Sequence, residues 1–399
     1  MSVILRKFPY PYNAFVTIDS DCDNMVQSPL ATHYSHVHIV PHSFEEIHKF
    51  VNTKAATIYG TGVGLDLGDS LFMYNHWSVY TGPSRYMIEA SFFHGLENPS
   101  PLNAANMIKY VRAGWIDGFH SFGNFTTSNN EGLCTRDMVQ YGINFLKRYG
   151  VKLETWSNHG SGNNFQNLNN KGADPQEPLY YHADITIPYG VRFVWMGLNA
   201  FNSTKNHGQE NVLYPLQLQD GQNVWNYGRM DENWIVDELH LQLNQTTLDQ
   251  IKTDSHYLIV GNHWGGGAGW SSSTVDAINN LASEYNSGNI LVARKVRLLK
   301  YNLAEQYTGW IFNAGENKIV INSIDDPQFG SFVPNVDDVR GLTFLNVNTT
   351  TKIFIGEHEI MDIQRPANDI VMIKWFDADV TDYTRLKWRV PVNFYERLP

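Results

Sequence analysis

Short apolar runs alternate with stretches of helical spacing over roughly the first three hundred residues. Residues 14–18 form a short apolar run that leads into the acidic stretch Asp19-Ser20-Asp21-Cys22-Asp23. Ser43-Phe44-Glu45-Glu46 has the capping-box pattern and predicts a helix through Phe50. Thr57-Ile58-Tyr59 predicts a further strand. The glycine-rich segment 60–70 that follows is no phosphate loop, because no Gly-Lys-[Ser/Thr] comes after it. Residues 136–149 carry helical spacing at Met138, Tyr141 and Phe145, with Val139, Ile143 and Leu146 alongside, and Gly150 supplies the stop. Residues 151–156 alternate as a strand and run into Ser157-Asn158-His159-Gly160. Thr247-Leu248-Asp249-Gln250 reads as a second capping box. Its helix leads to a strand at 257–260, which ends in Gly261-Asn262-His263-Trp264. One more helix, spaced on Val275, Ile278, Leu281, Ala282 and Tyr285, is closed by Gly288 before the run Ile290-Leu291-Val292.

Helix–strand alternation predicts an α/β fold with mostly parallel strands. In such folds ligands bind at the carboxyl ends of the strands, where this chain places its small and polar clusters. After about residue 313 helical spacing fades. Runs at 318–321, 342–345, 352–355 and 370–373, separated by turn residues, predict a small antiparallel β-domain. The expected division is 1–312 for the α/β domain and 313–399 for the β-rich tail.

Composition narrows the function. With 42% hydrophobic residues among 399, a sizeable core forms; with 17% charged residues, the chain is not a disordered acidic one. A formal net charge of -11 argues against nucleic acid, which needs a basic face. Cys22 and Cys134 share no CxxC pattern and suggest neither a disulfide framework nor a thiolate zinc site. No apolar stretch approaches the roughly 18 residues of a membrane span, and the N-terminal run is short and broken by prolines. These features predict a cytoplasmic protein. Aromatic content is 13%, including 11 Trp and 21 Tyr; such faces serve the core or stack on sugars.

Four clusters could carry chemistry. Asp19, Asp21 and Asp23 alternate, so an extended chain points them one way; their mutual repulsion asks for a cation or for donors. An acidic turn is the plainer reading. His120 and Asn124 lie four apart in His120-Ser121-Phe122-Gly123-Asn124, and imidazole suits zinc. Asn158 and His159, with Asn163, Asn164 and Gln166, offer neutral groups suited to sugar hydroxyls, or to turns. His263, beside Asn262, Trp264 and Gly265-Gly266-Gly267, can act as a general acid.

The order of these clusters resembles the polysaccharide deacetylase family, the NodB homology domain or carbohydrate esterase family four. Thr17-Ile18-Asp19-Ser20-Asp21 is similar to its first motif, T-[FI]-D-[DS]-D. His120-Ser121-Phe122-Gly123-Asn124 is similar to its His-[Ser/Thr]-x-x-x-His motif, and Leu258 to His263 to its late Leu-x-His motif. The look is that of a divergent surface-polysaccharide branch that reads HSYGDF and carries a β-rich tail. Asn124 stands where the family has its second metal histidine. The Arg-x-Pro-Tyr motif is not found, and Trp156-Ser157-Asn158-His159 holds that strand end.

The resemblance implies a distorted (β/α) barrel and a hydrolase that removes N- or O-acetyl groups from a polysaccharide or its sugar precursor in surface polysaccharide biosynthesis. It implies a divalent metal, zinc or else cobalt, nickel or manganese, on Asp21, His120 and Asn124, with Asp23 or His159 as alternatives to Asn124. Asp19 would be the base, His263 the acid, and Trp156, Asn158, His159 and Trp264 the substrate contacts. A catalytically weak carbohydrate-binding relative is the second reading. A glycosidase, using Asp66 and Asp69 or Asp231, Glu232 and Asp237, is the third.

Overall fold

The computed structural model describes residues 2–22, 30–33, 36–39, 43–75, 90–94, 104–123, 133–160, 164–197, 208–235, 237–265 and 269–386. The architecture is mixed α/β with several sheets. The largest sheet has ten strands: β1 (Ala14–Asp21), β2 (Asp69–Asn75), β3 (Ser91–His94), β4 (Ile116–His120), β5 (Thr155–Ser157), β6 (Phe193–Trp195), β7 (Leu213–Gln217), β8 (Asn223–Tyr227), β9 (Tyr257–His263) and β10 (Ile290–Val292). Their order is β7-β8-β6-β5-β4-β2-β1-β9, with β10 beside β1 and β3 beside β2. All pairs are parallel except β7 with β8. Past β8, a single parallel bridge joins Met230 to Val260 of β9, at the far end of that order. Met230 N donates to Ile259 O at 2.7 Å, and Gly261 N to Met230 O at 2.8 Å. No continuous ladder runs round into a closed barrel among the described residues.

Alternation along β1 sorts its side chains between two cores. Ala14, Val16 and Ile18 join the apolar cluster that also contains Phe44 and Ile47 of α1 (Phe44–Asn52). Further members are Met107 of α2 (Ala104–Ala113), Ile143 of α3 (Arg136–Arg148) and Ile185 of α4 (Ala183–Tyr189). After the short α5 (Leu239–Gln242), α6 (Gln245–Asp254) and α7 (Ser272–Asn286) add Leu248 and Ile278. On the other face Phe15 packs with Tyr257, Trp225 and Leu291, with α8 (Lys295–Tyr307) through Leu298 and Leu299, and with tail residues such as Ile319, Phe344 and Ile353. The second face of the sheet is thus covered by α8 and the β-rich tail.

That tail begins with the strand Thr308–Asn313 and forms two sheets. One is wholly antiparallel and includes the N-terminal strand Ile4–Arg6. The other contains one parallel pair, Lys318–Asp326 with Lys352–Ile355. All four apolar runs of the tail lie in strands or, at Leu342, one residue before one.

Local expectations fared unevenly. Ser43 caps α1, accepting from Glu46 N at 3.3 Å. The helix expected from a Thr247 box starts earlier, because Asn244 caps it through Thr247 N at 3.0 Å. Thr57-Ile58-Tyr59 is not a strand: Ala56–Thr57 and Gly60–Thr61 pair, and Ile58 and Tyr59 make the turn between them. Cys22 and Cys134 are buried and unbridged.

Helix α8 is seated in the second core, where Leu298 is fully buried among residues of the sheet and of the tail. We expect Leu298→Ala to cost about 2–5 kcal/mol, measured by urea unfolding. A change under 1 kcal/mol would mean that α8 is not seated as described.

Candidate functional site

The polar end of the second face is a buried charge centre. Asp19 and Asp21 stand at the carboxyl end of β1. Arg229, just past β8, donates from Nη1 to Asp21 Oδ1 at 3.0 Å and from Nη2 to Asp21 Oδ2 at 2.9 Å. Its Nη1 also reaches Asp19 Oδ2 at 3.1 Å, and its Nε donates to Asp231 Oδ1 at 2.7 Å. The guanidinium carbon lies over Trp195, 3.4 Å from the ring centroid. Lys295, the first residue of α8, pairs with Asp19 Oδ1. Tyr227 donates to Asp19 Oδ2 at 2.8 Å, and Ser157 Oγ sits 3.2 Å from the same oxygen. Asp19, Asp21, Arg229, Lys295 and His120 are each at most 5% exposed. Ions this deep must be matched, because an unpaired buried charge costs several kcal/mol.

Local sequence makes room for these groups. A Cβ on Gly261 of β9 would lie 2.6 Å from Asp231 Oδ1 and 2.7 Å from Arg229 Nε, so only glycine lets the guanidinium pass. A Cβ on Gly118 of β4 would lie 2.1 Å from Thr155 Oγ1. The first turn of α8 is held from another strand: Val296 N donates to Asp117 Oδ2 at 3.1 Å, which aims the neighbouring Lys295 at Asp19.

Towards the strand ends the groups become imidazoles. His120 Nδ1 is 3.4 Å from Asp21 Oδ1, and His120 Nε2 is 2.9 Å from His159 Nδ1. His120 is buried and His159 half-buried. His263 faces Asp21 in register across β9 and β1 and is also half-buried. Its backbone N–H donates to Trp234 O at 3.0 Å. The Trp234 ring, 43% exposed, lies 4.7 Å from the His263 ring.

Electrostatics follow the contacts. Burial pushes the Asp21 carboxyl up, but Arg229 and then His120 outweigh it, leaving it well below the ordinary carboxylate range. Asp19 is likewise lowered, with Lys295 and Arg229 overcoming its burial. Burial raises the Asp69 carboxyl well above the ordinary value, and the Ser20 hydroxyl and Lys295 do not offset it. It lies 3.6 Å from His48 Nε2, and burial lowers His48 to about 3.

The sites expected from sequence thus divide. Asp19, Asp21, His120 and His159 come together, with His263 beside them. Trp156 and Trp264 are fully buried in the helix-side core. Asn158 is spent on structure: its Oδ1 accepts from Trp156 Nε1 at 2.7 Å and from Leu168 N at 3.2 Å. Asp66 is tied to Arg294 and Arg297, and Asp237 accepts from Ser271 N at 2.7 Å. Asn124, Asp23, Asn163, Gly266 and Gly267 lie outside the described residues. Arg229, Lys295, Tyr227 and Trp234 were not anticipated. Arg229 and Lys295 do follow strands, in Asn226-Tyr227-Gly228-Arg229 and Val292-Ala293-Arg294-Lys295, the same signal that singled out His263.

A divalent ion on Asp21 and His120 can be tested against these contacts. Their 3.4 Å separation is about the edge of a tetrahedral shell with ~2.1 Å bonds. Yet both Asp21 oxygens already accept from Arg229, and His159 sits on the opposite nitrogen of His120. Among the described residues no three His, Cys, Asp or Glu side chains could hold a metal ion. As arranged, the donors among the described residues do not fit a metal.

Compared with known proteins, the chain matches no family model, no curated protein and no solved structure.

Two pH effects of opposite sign are expected. Asp19 and Asp21 are lowered, so their stabilisation is present above the unfolded value near 4 and is lost as pH falls through their folded values. Asp69 is raised, so the folded state keeps a proton that the unfolded state loses above about pH 4. Asp69→Asn should therefore raise the melting temperature at pH 7, with the gain shrinking towards pH 4. Melts of both proteins across pH 3–8 check this; a loss on D69N at pH 7 would show that Asp69 is ionised.

Proposed function

We propose that the chain hydrolyses acetyl groups on a saccharide through imidazole acid–base chemistry at the carboxyl ends of a distorted barrel. The isolated Met230–Val260 bridge supports the barrel reading, as a seam between the two ends of the strand order. The observation that carries the reading is the file Asp21, His120, His159, which runs from a buried carboxylate to a half-buried imidazole through contacts of 3.4 and 2.9 Å. Asp21 favours a proton on His120 Nδ1; His120 Nε2 then accepts from His159 Nδ1, which leaves the lone pair on His159 Nε2. His159 takes the proton of a water that attacks the acetyl carbonyl carbon. His263 gives a proton to the departing sugar nitrogen or oxygen, and acetate leaves. Asp19, held by Lys295, Tyr227 and Arg229, is a positioning residue for this centre.

The saccharide assignment draws on the motif resemblance and on Trp234, whose exposed face beside His263 suits the C–H face of a pyranose. The alternative of a binding relative with little turnover is favoured by Asp19, since a carboxylate so fully engaged accepts no proton from a substrate water.

Acetate release from N-acetylated oligosaccharides tests the reading. His159→Ala should cut the rate by about 100- to 10,000-fold, and Trp234→Ala should raise KM with little change in kcat. Undiminished release by H159A would remove His159 from the mechanism. Saccharide quenching of tryptophan fluorescence without acetate would support the binding relative, and neither response would overturn both.

A further inference from the structure

We propose that Arg229 is the built-in cation of this site: its guanidinium does for Asp19 and Asp21 what a divalent ion would do, and the two exclude each other. The fork on Asp21 is bidentate, at 3.0 and 2.9 Å, and occupies the carboxylate edge that a metal would use. The same Nη1 bridges to Asp19 at 3.1 Å, as an ion shared by two carboxylates would. The cation is anchored on its other sides by Asp231 at 2.7 Å and by the Trp195 face at 3.4 Å. On the Nε side Gly261 brings the β9 backbone close, where even a Cβ would lie 2.7 Å from Nε. Guanidinium is delocalised and always charged, and it matches a carboxylate as two parallel hydrogen bonds. A dication placed between Asp21 and His120 would sit close to that fixed positive charge and be repelled.

The reciprocal consequence follows from charge balance. Removing the guanidinium leaves Asp19 with Lys295 and Tyr227 and takes from Asp21 its bidentate partner, with His120 Nδ1 standing 3.4 Å from Asp21 Oδ1. That is a vacant corner pair for a metal. Arg229→Ala should thus convert a metal-indifferent centre into one that zinc stabilises, and Arg229→Lys, which keeps a cation, should not. This inference concerns the centre itself and holds whether or not acetyl hydrolysis is observed.

The test uses the full chain, its metal content after purification and its melting temperature with EDTA or with zinc chloride. Wild-type protein is expected to carry substoichiometric metal and to melt at the same temperature in either. R229A is expected to melt lower, and zinc should raise its melting temperature by roughly 5 °C; adding His120→Ala should abolish that rescue. R229K should remain indifferent to zinc. About one tightly held metal per wild-type chain, or a melt lowered by EDTA, would overturn the proposal, as would a folded R229A that zinc does not stabilise. Should R229A not fold, the wild-type and R229K measurements decide it alone.

Discussion

Compensation of two adjacent buried aspartates is the constraint on which this molecule turns. Asp19 and Asp21 sit two residues apart on one strand and so project from the same face. Left unpaired, each would cost several kcal/mol, and the pair would add repulsion. Their cations come from far along the chain, Arg229 from beyond β8 and Lys295 from the head of α8. The carboxyl end of β1 is stable only when β8, β9 and α8 have all arrived around it. The charge centre thus draws together elements that lie far apart in the chain.

This gives the β-rich tail a role beyond that of an appendage. α8 lies on the second face of the sheet, and its apolar side joins one core with Phe15, Trp225 and tail residues such as Ile319 and Phe344. If the tail were lost, α8 would be uncovered on one side and Lys295 would lose its fixed approach to Asp19. The strand Ile4–Arg6 ties the chain's beginning into the same tail sheet. Stability of the tail and geometry of the charge centre are therefore coupled through one helix.

How far this was legible in the sequence depended on whether the signal was local. The helix at 136–149 and the strand Ile290–Val292 carry their spacing and stops within a few residues, and they lie where the pattern puts them. α8 gave no start signal because its first turn is held by Asp117, distant in sequence. β2 was hidden by the glycine-rich run before it, and its core is buried on both faces, so it shows no period-two alternation. Of the site, the aspartates and histidines stood out because their residue types are rare in apolar strands. Arg229 and Lys295 did not, since a lone basic residue after a strand reads as a solvated side chain until a carboxylate is placed beside it. The tryptophan count was equally blind to position: Trp156 and Trp264 went to the core, and Trp234 to the rim.

The identity of the central cation decides where chemistry can occur. A bound dication would draw the reaction to itself, lowering the pKa of its own water and polarising a carbonyl. A guanidinium offers neither an open coordination position nor a water to activate. It fixes the two carboxylates, and the proposed proton transfer falls to groups farther out. Those groups are His159, reached from Asp21 through His120, and His263, opposite Asp21 in register. Both are half-buried while the aspartates are buried, and His263 stands beside the exposed Trp234. In the reaction proposed above, with Arg229 in place, a substrate meets imidazole before carboxylate, so proton exchange belongs to the rim of the centre.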